Sequence, residues 1–138
     1  MRSHCRPPRA SARDSFLTKS NKLIAVVDDD PDMLRAIVRL LKAHGFDVHA
    51  FASAEAFLDG DVRRAASCLI LDIHLGGMSG LALRRHLSAQ GCGTPIIFVT
   101  AVDDAAIRQE AIDAGCVAYL PKPFAGKLLL DAIRKAAV

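Results

Sequence analysis

Five short apolar runs punctuate the chain, and helix-like polar stretches separate them. Leu23-Ile24-Ala25-Val26-Val27, Asp47–Phe51, Cys68-Leu69-Ile70-Leu71, Thr94–Val99 and Cys116-Val117-Ala118-Tyr119-Leu120 read as strands. Near-continuous hydrophobicity is expected where both faces of a strand are covered. After the first strand Asp30 stands as an N-cap, with Pro31 at the first helical position. Leu34, Ile37, Val38 and Leu41 then share one helical face, and Gly45 ends it. Ser53 caps a short helix, Ala54–Asp59, and Ser79 opens a helix through about Ala89, closed by Gly91. Asp103 or Asp104 starts a fourth helix, with Ile107, Ala111 and Ile112 inward and Gly115 at its end. The last helix, from about Phe124, carries Leu128, Leu129, Ala132, Ile133 and Ala136 on one side. Five βα units with short loops predict an α/β domain with a parallel sheet and helices on both faces. The natural solution is the flavodoxin-like order 2-1-3-4-5, whose switch point lies between strands 1 and 3.

Polar groups stand where the strands stop. Asp28-Asp29 follow the first strand, Asp72 closes the third, Thr100 follows the fourth and Lys122 comes just after the fifth. In a parallel sheet these ends share one edge. Two unit charges about 4 Å apart repel by about 4 kcal/mol at an effective dielectric near 20, so three carboxylates there need a cation or must take up protons. A hard divalent ion such as Mg²⁺ suits oxygen ligands that will also meet a phosphate. Lys122 adds a positive charge for a phosphoryl oxygen, and Thr100 adds a hydroxyl. Phosphoryl transfer asks mainly for positioning and charge neutralisation, and an aspartate can itself be the nucleophile. Asp72 is the candidate acceptor, because its strand lies between the Asp28-Asp29 strand and the Thr100 strand. Taken singly these residues have plainer readings. Acids before a helix are often caps, which is the main reading of Asp30, and Thr100 or Tyr119 could simply belong to a strand. Their shared edge favours the phosphoryl site.

Composition sharpens this picture. The 138 residues suffice for one domain with a core. The net charge of +3 is unevenly spread: residues 1–22 hold six basic residues and one acid, and the remainder carries a net −2. The positive charge therefore belongs to a Pro- and Ser-containing tail, expected to be disordered, and the domain of residues 23–138 has no excess suggesting direct DNA binding. No apolar stretch approaches the roughly 18 residues of a membrane span. Cys5, Cys68, Cys92 and Cys116 form no CxxC pair, and buried reduced thiols at Cys68 and Cys116 are expected, consistent with a cytoplasmic protein. His4, His44, His49, His74 and His86 form no helical ligand pair, so no transition-metal site is expected.

Five pieces of the chain, in order, carry a family resemblance: Val26-Val27-Asp28-Asp29-Asp30; Phe51-Ala52-Ser53-Ala54-Glu55-Ala56-Phe57-Leu58; Leu71-Asp72-Ile73-His74-Leu75 with Met78-Ser79-Gly80; Val99-Thr100-Ala101; and Tyr119-Leu120-Pro121-Lys122-Pro123-Phe124. Over about residues 22–137 the chain resembles the CheY-like receiver domain of two-component response regulators, particularly the FixJ type. The resemblance implies that Asp72 accepts phosphate from the phosphohistidine of a histidine kinase or phosphotransfer protein. Asp29 and Asp72 would ligate Mg²⁺ directly, Asp28 mainly through water, and the His74 main-chain carbonyl would complete the set. Lys122 would bridge Asp72 and later the phosphoryl group, while Thr100 and Tyr119 would switch together. The surface of the fourth predicted helix, strand 5 and the last helix would then engage a downstream protein or a second phosphorylated copy. Such a domain is a phosphoacceptor switch with phosphotransfer and autodephosphorylation chemistry, not a turnover enzyme. Lys122-Pro123 would be a cis peptide bond. One departure is Gly76, where the family usually has proline; Gly76-Gly77 should loosen the loop after strand 3 and alter phosphorylation lifetime.

Two other readings compete. Asp28-x-Asp30 mimics the nucleophile pair of haloacid-dehalogenase-like phosphatases, but that motif wants Thr or Val where Asp32 stands, and it leaves Asp72 unexplained. A scaffold that binds partners without phosphorylation is the second. The sequence ends at Val138 with no helix-turn-helix or catalytic output after the last helix, so a stand-alone receiver or a piece of a longer protein is expected, acting through its own surface.

Overall fold

The computed structural model describes residues 22–136. The tail expected over residues 1–22 lies, apart from Lys22, outside the described residues, as do positions 137 and 138. The elements run β1 (Leu23–Val27), α1 (Pro31–Ala43), β2 (Asp47–Phe51), α2 (Ala54–Asp59), α3 (Val62–Ala65), β3 (Cys68–Asp72), α4 (Gly80–Ala89), β4 (Ile96–Thr100), α5 (Ala105–Asp113), β5 (Ala118–Pro121) and α6 (Gly126–Ala136). All strand pairs are parallel, in the order β2-β1-β3-β4-β5. This is the predicted flavodoxin-like, CheY-like sheet.

Alternation along the central strands splits the core in two. Ala25, Val27, Leu69, Leu71 and Phe98 point to the side covered by α2, α4 and α5, where Phe57, Leu83, Leu87 and Ala111 meet them. Ile24, Val26, Ile70, Ile97 and Val99 point to the other, against Ile37 and Leu41 of α1 and Leu129 and Ile133 of α6. With both faces buried, β1, β3 and β4 have no polar side, which explains their unbroken hydrophobicity.

Local signals set the helix limits. Asp30, Ser53, Ser79 and Asp104 each accept a backbone N–H in the first turn of α1, α2, α4 and α5. Asp104, not Asp103, is the cap of α5. Gly45, Gly91 and Gly115 follow helix ends at φ of +88°, +77° and +83°, which a residue with a Cβ rarely adopts.

Several expectations needed correction. β4 begins at Ile96 and includes Thr100, because the stretch before it contributes only the Pro95 carbonyl, which accepts from Leu69 N–H. β5 begins at Ala118, since the Gly115 and Cys116 amides are used to close α5 on the Ile112 and Ala111 carbonyls. Helix α3 was not predicted, and α6 starts at Gly126 while Phe124 packs on the core beside it. Ile112 and Leu128 face outward, each 53% exposed, whereas Leu130 is buried. The buried arc of α6 is thus turned toward Leu130, and α5 rests on the sheet through Ala111 with Ile107 at its margin.

Gly80 shows how tightly α4 is set against the end of β3. A Cβ at Gly80 would lie 2.3 Å from the Asp72 carbonyl oxygen and 2.9 Å from the Ile73 Cα, whereas at Gly76 it would meet nothing within 4 Å. Gly80→Ala is therefore expected to destabilise the domain by about 3 kcal/mol, at the upper end for forced overpacking. Gly76→Ala should be neutral or stabilising by up to about 1 kcal/mol, through loss of unfolded-state freedom. Urea unfolding of the two variants measures both.

Candidate phosphoryl and cation site

Backbone pairing continues one residue past the strands and so fixes the polar ends at the sheet edge. Asp28 N–H donates to the Phe51 carbonyl (3.1 Å), Ile73 N–H to Val99 (3.0 Å) and Lys122 N–H to Thr100 (2.7 Å). Asp28 and Asp72 therefore project from neighbouring strands, β1 and β3, at the predicted switch point. Both are buried, whereas Asp29 is exposed. Single carboxylate oxygens of Asp28, Asp29 and Asp72 lie within 4.8 Å of one another. Lys122, arriving from β5, places Nζ 2.9 Å from Asp28 Oδ2 and 3.4 Å from Asp72 Oδ2, with 12% of its side chain exposed. The Lys122-Pro123 peptide bond is cis, as the resemblance implied.

The electrostatics are lopsided. One ammonium faces two buried carboxylates and sits closer to Asp28. Burial, and then the Asp28 charge, push the Asp72 carboxyl up to about 6, against the pull of Lys122 and of the His74 amide. Burial alone would lower Lys122; the Asp28 hydrogen bond and the two negative charges outweigh it and hold the ammonium above the ordinary lysine value. Asp72 is thus the underserved member. One of its oxygens accepts His74 N–H at 3.1 Å, and the other meets Lys122 at 3.4 Å, farther than Asp28 does. An all-oxygen donor set with excess negative charge fits a hard divalent cation such as Mg²⁺.

The remaining predicted residues are near the site but engaged elsewhere. Thr100 is buried, and its hydroxyl donates to the Val102 carbonyl (3.0 Å) and accepts Val102 N–H (3.1 Å), closing a turn in its own loop. Tyr119 pairs in register with Phe98, and alternation puts Thr100 on the same face of the sheet. Its hydroxyl donates to Asp103 (3.4 Å), and its ring lies under the Arg108 guanidinium (5.0 Å), which is itself 3.0 Å from each Asp103 oxygen. Burial, and then the Asp103 charge, raise the Tyr119 phenol, so it stays protonated as the donor. His74 has an exposed side chain. Asp30 is exposed and caps α1, with Asp30 Oδ1 accepting Asp32 N–H at 3.0 Å, so the Asp28/Asp30 pair of the phosphatase reading is not assembled. Sequence reasoning missed the Asp103–Arg108 hold on Tyr119, and it missed Glu55, whose carboxylate accepts Met78 N–H at 3.0 Å. Both involve partners without a periodic signal.

Residues 24–134 match the family described as the response regulator receiver domain. The chain belongs to this family. TodT, a response regulator protein of Pseudomonas putida, is 41% identical over 114 residues, which are 83% of this chain and 50% of TodT. Among solved structures, the response regulator StyR superposes with a TM-score of 0.79 at 38% identity, over 86% of this chain and 60% of that one. The FixJ-N structure gives 0.77 at 31%, over 86% and 94%. The chain spans about half the length of the curated relatives it matches. It is a response regulator receiver domain of two-component signalling, and the receiver family binds Mg²⁺ through an acidic cluster of the kind seen here. Among the described residues no helix is long and apolar enough to cross a membrane.

The raised Asp72 proton affinity predicts a pH-dependent cost. The folded receiver holds this proton more tightly than the unfolded chain. Stability is therefore lost as pH rises from about 4 through about 6, and the loss is complete above that window. In metal-free buffer Asp72→Asn should be more stable than the native protein by about 1–3 kcal/mol at about pH 8, and the difference should vanish near pH 4. Urea unfolding in EDTA at several pH values measures it.

Proposed function

We propose that this receiver takes a phosphoryl group from the phosphohistidine of a histidine kinase or phosphotransfer protein onto Asp72, and that the aspartyl phosphate re-sets the surface of α5, β5 and α6. The observation that supports it best is the buried, underserved Asp72 carboxylate, with Asp28 on one side and Lys122 within reach. In the transfer an Asp72 oxygen forms the bond to phosphorus as the P–N bond breaks, and the bonding pair leaves with the imidazole nitrogen. Asp72 must be ionised to attack, and a bound Mg²⁺ would favour that form against the burial that raises its proton affinity. Asp28, Asp29, Asp72 and the main-chain carbonyl of His74 would hold Mg²⁺, Asp28 mainly through water. When bound, Mg²⁺ supplies the positive charge that lets carboxylates and phosphoryl oxygens share one place.

Lys122 then holds a phosphoryl oxygen. For Thr100 to join it, the hydroxyl leaves its turn with Val102, and Tyr119 leaves Asp103 and Arg108. Each released hydrogen bond costs about 1 kcal/mol, which the charge-assisted bonds made to the phosphoryl group can offset. The switch is thus a two-state element biased by new charge. Exposed Val102, Ile112 and Leu128 lie on or beside α5 and α6, where a downstream protein or a second phosphorylated copy would dock. In this reading the chain is no turnover enzyme. It works in the cytoplasm and contacts no DNA through this domain. The scaffold reading remains as the outcome of a failed test.

Phosphotransfer profiling against histidine kinases, with acetyl phosphate and Mg²⁺ as a partner-free control, tests the proposal. Mass spectrometry should find one phosphoryl group on the native protein and none on Asp72→Asn. Lys122→Ala should slow uptake by roughly 100-fold, as for loss of one preorganised charged donor. Absence of phosphate at Asp72 under every donor would favour the scaffold.

A further inference from the structure

We propose that Glu55 is a positioning residue for the phosphorylation site. Through the Met78 amide it fixes the loop between β3 and α4, and with it the His74 carbonyl that the receiver reading assigns to Mg²⁺. This rests on the reading above and adds a residue outside the acidic cluster.

The loop needs an external hold. It begins where Ile73 leaves the sheet, turns at His74, whose N–H donates to Asp72 Oδ1, and re-enters order where Gly80 N–H donates to the Ile73 carbonyl at 2.9 Å. Between these points lie Gly76 and Gly77, the residue type that loses most backbone freedom on ordering. Leu75 and Met78 are partly buried against the core and anchor the loop from below. From above, Glu55 Oε2 accepts Met78 N–H at 3.0 Å, a bond across 23 positions of sequence.

Two further observations mark this contact as built. A Cβ at Gly77 would lie 2.6 Å from Glu55 Oε2 and 3.1 Å from Oε1, while the same atom at Gly76 would meet open space. A side chain at Gly77 would therefore push the flexible end of Glu55 off the Met78 amide, whereas one at Gly76 would not. The Met78 amide, and then Glu55's own amide, hold the Glu55 carboxyl below the ordinary glutamate value, so the acceptor is charged and the bond is of the stronger kind. The base is firm as well: Ser53 caps α2 at Ala56 N–H, and buried Phe57 packs edge-on against Phe51 at 5.5 Å. The usual proline of the family would stiffen this loop from within. Here Gly76 takes its place, and the stiffness comes from α2.

The test combines amide hydrogen exchange with Mg²⁺ titration, both followed by NMR on the unphosphorylated chain. Glu55→Ala should speed exchange at Met78 and Gly77 by tenfold or more and weaken Mg²⁺ binding about fivefold, a part of what one charge-assisted hydrogen bond contributes. Glu55→Gln, whose amide oxygen can still accept from Met78, should recover most of both. Gly77→Ala should weaken Mg²⁺ binding in the same direction without adding to Glu55→Ala, since both break one contact. Glu55 is exposed, and thermal unfolding in EDTA verifies that each variant folds. Equal Mg²⁺ affinity of native and Glu55→Ala protein, unchanged exchange at Met78, or additive effects of the two substitutions would each overturn this inference alone. A native protein that binds no Mg²⁺ would overturn the phosphoacceptor reading itself, and the role of Glu55 with it.

Discussion

Two buried carboxylates share one ammonium at the edge of the sheet, and most of the molecule is arranged around that imbalance. Asp28 and Asp72 stand on adjacent strands, so their separation is set by the pairing of β1 with β3 and cannot relax by moving one side chain into solvent. Lys122 reaches them from β5, two strands away from β3, and sits nearer Asp28. One ammonium cannot balance both carboxylates, so above about pH 6 the ionised Asp72 is a cost to the fold. The arrangement is therefore poor as a structural device and well suited to receive a cation and a phosphoryl group. Burial raises the proton affinity of Asp72, and in the proposed cycle the same property marks it as the nucleophile.

The fold supplies the rigidity this requires. Each polar end is tied to the neighbouring strand by a backbone hydrogen bond one residue beyond the strand. The core on both faces of β3 and β4 leaves the strands no room to slide, because a shift of one residue would turn every core side chain to the opposite face. Gly80 lets α4 close down on the Asp72 carbonyl, and Glu55 holds the loop between them. The parts that would have to move, Thr100 and Tyr119, are held instead by a local turn and by the exposed Asp103–Arg108 pair. Exposed ion pairs contribute little, so this hold is weak by comparison with the site.

Much of this was legible in the sequence, for identifiable reasons. Strand number, order and the shared polar edge followed from apolar runs that end in Asp28, Asp72, Thr100 and before Lys122. Caps and C-terminal glycines located α1, α2, α4 and α5 to within a residue or two. What failed was whatever depends on tertiary rotation or on distant partners. The exposure of Ile112 and Leu128 reflects how α5 and α6 roll on the sheet, and a run of three leucines gives no phase of its own. The tie from Glu55 to Met78 and the hold on Tyr119 join loops whose approach is decided only by the finished fold.

An NMR titration of the Asp72 carboxyl carbon, with and without Mg²⁺, reads the charge imbalance at the site itself. A metal-free midpoint near 6 is expected, falling well below the ordinary carboxylate value when Mg²⁺ is bound. A midpoint near the ordinary aspartate value of about 4, unmoved by Mg²⁺, would contradict it.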